Sequence, residues 1–187
     1  MDGMKAMPPR PRDRMTGVVY LLYFLTAISA ELFVGSGRHD AYQAVNLIAY
    51  GLYIVVTLLF YNLFKPVNRI LTFLAALFSL FGCAIGLLGF LALAPHQLSP
   101  LLFFGPYCLL LGYLIFTSTF LSRILGVLLA LAGLGWVVFL SPLETHLSTF
   151  LKVFGFLSEL LLCLWLTAKG VNVQRWNHLA RSTEQHH

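Results

Sequence analysis

The chain has 187 residues, of which 59% are hydrophobic and only 10% charged. Soluble domains carry about 25% charged residues, so a water-soluble globule is excluded. The net charge of +5 would suit a nucleic-acid partner, but the placement of the cations, taken up below, argues against one.

Six apolar stretches fill most of the sequence. A bilayer core of about 30 Å takes roughly 20 apolar residues as a helix, and only helices or closed barrels satisfy the backbone there. In chain order the expected spans are Gly17–Val34, Val45–Phe64, Ile70–Ala94, Leu101–Thr117, Ile124–Leu140 and Thr149–Ala168. They predict an all-α membrane protein, a bundle of six transmembrane helices. A basic N-terminal segment (1–16) precedes the membrane domain (17–168), and a C-terminal tail (169–187) follows it.

The first span follows Arg12 and Arg14 and contains Ile28-Ser29-Ala30, a loose match to a signal peptide. Its apolar run is long for a signal sequence, so an uncleaved helix is expected. Glu31 lies near the outer end of this span, with Arg38, His39 and Asp40 close behind. It reads as an interfacial acid on a solvated loop, where a charge costs little.

Spans two and three are joined by Lys65-Pro66-Val67-Asn68-Arg69, and spans four and five by Ser118-Thr119-Phe120-Leu121-Ser122-Arg123. Links this short make each pair an antiparallel helical hairpin. Gly51-x-Tyr53 recurs as Gly105-x-Tyr107, and Arg69-Ile70-Leu71 as Arg123-Ile124-Leu125, both 54 residues apart. Ala76 and Ala130 share that offset. A parallel repeat, a type found in some transporters, is one reading; chance matching within apolar sequence is the other.

Small residues mark two spans: Ser79, Gly82, Cys83, Gly86 and Gly89 in the third, and Gly126, Ala130 and Gly133 in the fifth. Such spacing lets helix backbones approach closely in lipid. Packing inside the bundle is expected, with homo-oligomerisation through the third span as the alternative. Tyr20, Tyr23 and Tyr61 at the inner ends, and Tyr42, Phe103, Phe104 and Trp136 at the outer ends, read as interfacial aromatic belts.

The cations settle orientation. Lys5, Arg10, Arg12, Arg14, Lys65, Arg69, Arg123, Lys169, Arg175 and Arg181 fall on one side of a six-span topology, and only Arg38 and Lys152 on the other. By the positive-inside rule both termini are expected in the cytoplasm. The basic flanks then face anionic lipid headgroups, and no nucleic acid is implied. Cys83, Cys108 and Cys163 lie inside spans and behave as small hydrophobes.

Glu159 is the sharpest chemical signal. It sits midway along the sixth span, and no lysine or arginine occupies the middle of any span. A charge at that depth costs about 2.5–3.5 kcal/mol or more, so the carboxyl is expected to be neutral and turned into the bundle. Tyr53, Tyr107, Tyr113, Ser79 and Thr57 are its candidate partners. A ligand-binding or proton-coupled carboxyl and a plain interhelical glue both fit.

Metal and haem readings are weaker. His39, Asp40, His96, Glu144 and His146 would gather on the outer face, where imidazole and carboxylate can hold zinc. Their spacing is not diagnostic, and ordinary loop polarity explains them. No histidine lies mid-span to ligate haem. No cofactor is expected, and the usual phosphate-loop, zinc-protease and serine-hydrolase signatures are missing.

Two segments carry a resemblance. The first is Leu111-Gly112-Tyr113-Leu114-Ile115-Phe116, continuing from Phe120 to Leu128 and through Ala132-Gly133-Leu134-Gly135. The second runs from Glu159 through Leu164-Trp165-Leu166 to Lys169-Gly170-Val171-Asn172. With the Lys65–Arg69 link, these resemble an uncharacterised family of bacterial integral membrane proteins, the domain-of-unknown-function 4386 family. The resemblance implies the six-helix architecture and brings no activity. The family usually has proline where Ser122 stands, and often an arginine in the third span where this chain has Ser79. If that arginine partners the sixth-span acid, Glu159 lacks it here.

The function expected is binding or moving a small apolar or amphipathic molecule within a bacterial inner (plasma) membrane. Glu159, Tyr107, Tyr113, Tyr53 and Ser79 would line the site. An intramembrane enzyme acting on a lipid, and a structural or partner-binding membrane subunit, are the alternatives. In the enzyme reading Glu159 would act as general acid, though no recognised catalytic motif accompanies it.

Overall fold

The computed structural model describes residues 10–33, 38–90, 99–138 and 144–184. Among them are seven helices and no strand: α1 (Arg10–Glu31), α2 (His39–Phe64), α3 (Arg69–Phe90), α4 (Leu101–Thr117), α5 (Arg123–Val138), α6 (Glu144–Ala168) and α7 (Val173–Glu184). Three are long and apolar enough to cross a membrane, over Asp40–Phe64, Arg69–Gly89 and Phe150–Ala168. Leu101–Thr117 and Arg123–Val138 are shorter apolar helices, and the apolar run of α1 is bracketed by Arg14 and Glu31.

Several helices outrun the apolar stretches that announce them. α1 starts at Arg10 rather than Gly17, α2 at His39 rather than Val45, and α6 at Glu144 rather than Thr149. Hydropathy marks only the part of a helix that suits lipid. The backbone ladder continues into polar sequence, because the bonds satisfy each N–H and C=O there too.

The turns follow local chemistry. α2 stops at Lys65-Pro66, and the Asn68 side chain caps α3 by accepting the Leu71 N–H at 3.0 Å. α6 ends at Gly170, whose φ of 66° suits glycine, and whose N–H donates to the Trp165 carbonyl at 3.1 Å.

Each of α1 to α6 packs on its chain neighbours, and α6 closes back on α1. The six therefore form a ring in sequence order. Val18, Leu22, Leu25 and Ile28 of α1, and Phe150, Val153, Leu157, Leu161 and Leu164 of α6, face outward at helical spacing. Apolar stripes this exposed suit lipid rather than water. Tyr20, Phe24, Tyr53, Phe60, Tyr107, Leu111, Leu114, Leu162 and Leu166 fill the interior.

The most extensive seam joins α4 to α5. A Cβ on Gly112 would lie 2.7 Å from the Gly126 carbonyl oxygen, one on Gly126 would lie 2.6 Å from that of Gly112, and one on Gly133 would lie 2.8 Å from that of Gly105. Backbone meets backbone here, so only glycine fits. In α3, Gly82 instead faces the Phe104 ring and Gly86 the tip of Tyr50, while Gly89 faces open space.

α7 lies within the stretch expected to be a simple tail. The Asn172 side chain accepts the Arg175 N–H at 3.2 Å and caps it. The helix then ties the ends of two hairpins together. Trp176 Nε1 donates to the Leu63 carbonyl at the end of α2 at 2.9 Å, and the Arg175 guanidinium donates to the Thr119 carbonyl in the α4–α5 link at 3.0 Å. The Asn172 N–H donates to the Phe120 carbonyl at 3.0 Å.

The seam makes a graded prediction. Gly112→Leu and Gly126→Leu should destabilise the bundle by about 1–3 kcal/mol or more, the range for overpacking, read as a lower melting temperature in detergent. Gly82→Leu and Gly86→Leu should also destabilise it, but by less, since a ring can swing aside. Equal melting of parent and Gly126→Leu would mean that α4 and α5 do not touch.

Candidate functional site

Glu159 belongs to the inward stripe of α6, one turn from Gly155 and close to Leu162, Cys163 and Leu166, all buried. The residue is itself partly buried. Its Oε2 accepts the Tyr20 hydroxyl proton at 2.8 Å, and the Cys108 thiol points at Oε1 from 3.9 Å. Three helices, α1, α4 and α6, thus converge on one carboxyl, and both donors are neutral.

A close approach of α1 and α6 makes this meeting possible. A Cβ on Gly17 would lie 2.5 Å from the Thr167 backbone nitrogen, and the Cys163 thiol donates to the Gly17 carbonyl at 3.7 Å. One helical turn beyond Gly17, on the same face, stands Tyr20. A side chain at position 17 would lift α1 away and draw Tyr20 off the carboxyl.

Aromatic rings carry the cluster across the ring of helices. Tyr20 packs edge-on to Tyr53 at 6.3 Å between centroids, and Tyr53 packs edge-on to Tyr107 at 6.2 Å and to Phe104 at 5.3 Å. Edge-to-face pairs at such distances are favourable. Tyr23 also meets Tyr53, at 4.7 Å.

The residues singled out from sequence fall in different places. Glu159, Tyr53 and Tyr107 share the interior. Ser79 and Thr57 bond each other at 2.6 Å between α3 and α2, not the carboxyl. Tyr113 is 54% exposed on the outer face of α4, away from the cluster. The direct partners, Tyr20 and Cys108, were not among the candidates. Tyr20 reads as an interfacial tyrosine because it is close to the basic N-terminus, yet it is 2% exposed. Helical phase held the missing signal: Gly17, Tyr20 and Phe24 form one stripe, opposite Val18, Leu22 and Leu25. Phe104, read as part of the outer belt, likewise packs inward on Tyr53.

The outer-face metal candidates lie mostly beyond reach. His96 is outside the described residues, as are the side chains of His39, Glu144 and His146, while Asp40 is exposed. Among the described residues, no three histidines, cysteines or carboxylates group to hold a metal. The three cysteines are free and buried.

The apolar helices and their lipid-suited outer stripes are those of a helical membrane protein. Comparison with known proteins places part of the chain beside an uncharacterised family. Residues 96–170, covering α4 to α6, match the family described as Domain of unknown function (DUF4386). The Lys65–Arg69 link lies outside the matched stretch. An uncharacterized protein of Archaeoglobus fulgidus is 27% identical over 127 residues, 63% of this chain and 76% of its own length. No solved structure matches.

The carboxyl's state is open to measurement. With lipid around the ring and no cation bonded to its carboxyl among the described residues, Glu159 is expected to carry its proton at neutral pH. Glu159→Gln should then leave folding nearly intact, whereas Glu159→Leu and Tyr20→Phe should each cost about 0.6–2 kcal/mol, the range for interhelical hydrogen bonds in membranes. Infrared spectra of protein with labelled glutamate should show the protonated carbonyl stretch, absent in Glu159→Gln. An ionised carboxylate band from Glu159 would contradict this.

Proposed function

We propose that the chain is a six-span protein of the bacterial inner (plasma) membrane, with both termini cytoplasmic, that binds or moves a small apolar or amphipathic molecule within the bilayer. Glu159 is the polar contact for that molecule. One observation carries the reading: a carboxyl midway along an apolar helix turns into a ring of helices, bonded by a phenol and a thiol from two other helices. Packing alone needs no acid at this position, since leucine fills such a place without any charge to neutralise. Intramembrane acids are by default functional for that reason.

A structural or partner-binding subunit is the second reading. It is favoured by the tightness of the interior, where phenyl and phenol rings fill the space between α1, α2 and α4. The enzymatic alternative would need a second acid or a histidine on Glu159, and the groups that bond it are a phenol and a thiol.

Topology is checked with reporters fused at the C-terminus and beside His96. Cytoplasmic activity at the first and external exposure at the second are expected from the charge asymmetry. A cytoplasmic His96 reporter would overturn the six-span assignment.

The ligand is sought by extracting protein purified in native lipid nanodiscs and identifying small molecules by mass spectrometry. The parent should retain a stoichiometric apolar or amphipathic compound that Glu159→Gln holds at least tenfold less. Equal retention by the two proteins, or none by the parent, would favour the structural reading instead.

A further inference from the structure

A second place in the molecule gathers charge, well apart from Glu159. A partly open cavity of about 440 Å³ is lined by Arg14 of α1, by Lys169 and Gly170 where α6 stops, and by Val173 and Gln174 of α7. Lys169 lies ten residues beyond Glu159, about 15 Å along a helix.

Packing explains why the two cations share this cavity. α1 and α6 touch where Gly17 meets Thr167. Arg14 stands one turn before Gly17, and Lys169 two residues after Thr167, so that contact carries both to the same end of the helix pair. The left-handed turn at Gly170 then redirects the chain, and the Asn172 N–H donates to the Phe120 carbonyl at 3.0 Å. These two features fix where α7 begins.

The wall selects an anion. No acidic residue is among the described residues that line it. A guanidinium presents a planar fork that matches phosphate oxygens, and an ammonium adds a compact charge. The first residues of α7 bring the positive end of its dipole to the same wall. The two cations carry the site, and the helix end adds to them.

Position selects the source of that anion. Lys169 follows directly on the apolar stretch Phe150–Ala168, and Arg14 precedes the apolar run of α1. The cavity therefore lies where hydrocarbon gives way to the headgroup region. Trp165, one turn back along α6, is half-buried, and Lys169 Nζ stands over its ring at 4.2 Å from the centroid. Tryptophan is enriched at that depth. Ligand pockets begin at about 300 Å³, so there is room for a whole headgroup rather than a bare phosphate.

We propose that this cavity binds a phosphate group, supplied by the headgroup of an anionic phospholipid, with Arg14 and Lys169 as its cationic contacts. A bound headgroup joins the start of α1 to the α6–α7 junction. A soluble phosphate ester presents the same chemistry, and the test separates the two sources. Glu159 has no part in this site, and either reading can fail without the other.

Full-length protein in neutral detergent is titrated with phosphatidylglycerol, phosphatidylcholine or glycerol 3-phosphate, and bound ligand is measured by native mass spectrometry. The parent should bind one phosphatidylglycerol roughly tenfold or more tightly than phosphatidylcholine, the scale set by two basic residues at an anionic lipid. Arg14→Gln combined with Lys169→Gln should abolish that preference. Both side chains are exposed, so the variant should fold and melt like the parent in phosphatidylcholine. Lys65→Gln combined with Arg69→Gln removes as much charge from the α2–α3 turn and should keep the preference. Glycerol 3-phosphate bound as tightly as the lipid would overturn the lipid as the source. A parent without the preference, a preference unchanged in the Arg14 and Lys169 variant, or an equal loss in the Lys65 and Arg69 control would overturn the site.

Discussion

Lipid hydrocarbon is as apolar as leucine, so these helices gain nothing simply by leaving it for one another. Association must come from close packing and from polar groups that lipid cannot satisfy. Both devices operate here, on different helix pairs. Between α4 and α5 the backbones touch at Gly112, Gly126, Gly133 and Gly105. Between α1 and α6, a single glycine at position 17 admits the approach, and the Glu159 carboxyl supplies a hydrogen bond. The first seam is set by shape alone. The second depends on a polar group that would be costly anywhere else in the membrane.

That difference bears on what each part of the ring can do. Backbone contact at glycine has no adjustable partner, so α4 and α5 behave as one rigid hairpin. The Glu159 carboxyl instead takes its two hydrogen bonds from side chains, the Tyr20 hydroxyl and the Cys108 thiol. The α7 helix binds the ends of both hairpins, through Trp176 on the α2 terminus and Arg175 on the α4–α5 link. Motion between the hairpins at this end must disturb those bonds.

The 54-residue offset takes a mixed form in three dimensions. Arg69 and Arg123 each open a helix after a short turn, and Tyr53 and Tyr107 meet edge-on in the interior. Gly105 packs on α5, yet its counterpart Gly51 faces open space. Matched residues thus share roles only where they lie at a turn or in the core. α4 lies closer to α5 than α2 does to α3, because glycines occur on both sides of the first pair's contact.

Sequence alone determined the class of the protein and the course of its chain. Long apolar runs and short polar links admit little besides membrane helices, and Glu159 stands out because a carboxyl amid leucines is costly. Hydropathy, however, has no phase. It marks Tyr20 as near a basic terminus without saying that it shares a face with Gly17 and Phe24, and it treats Cys108 as one more small apolar residue. Which donors reach the carboxyl depends on how α1, α4 and α6 are rotated and how near they come, and that is decided by glycines meeting backbones far apart in the chain. The same holds for α7: its Asn172 cap and the Gly170 stop are legible locally, but its place across the hairpin ends exists only because the folded ring presents the Leu63, Thr119 and Phe120 carbonyls together.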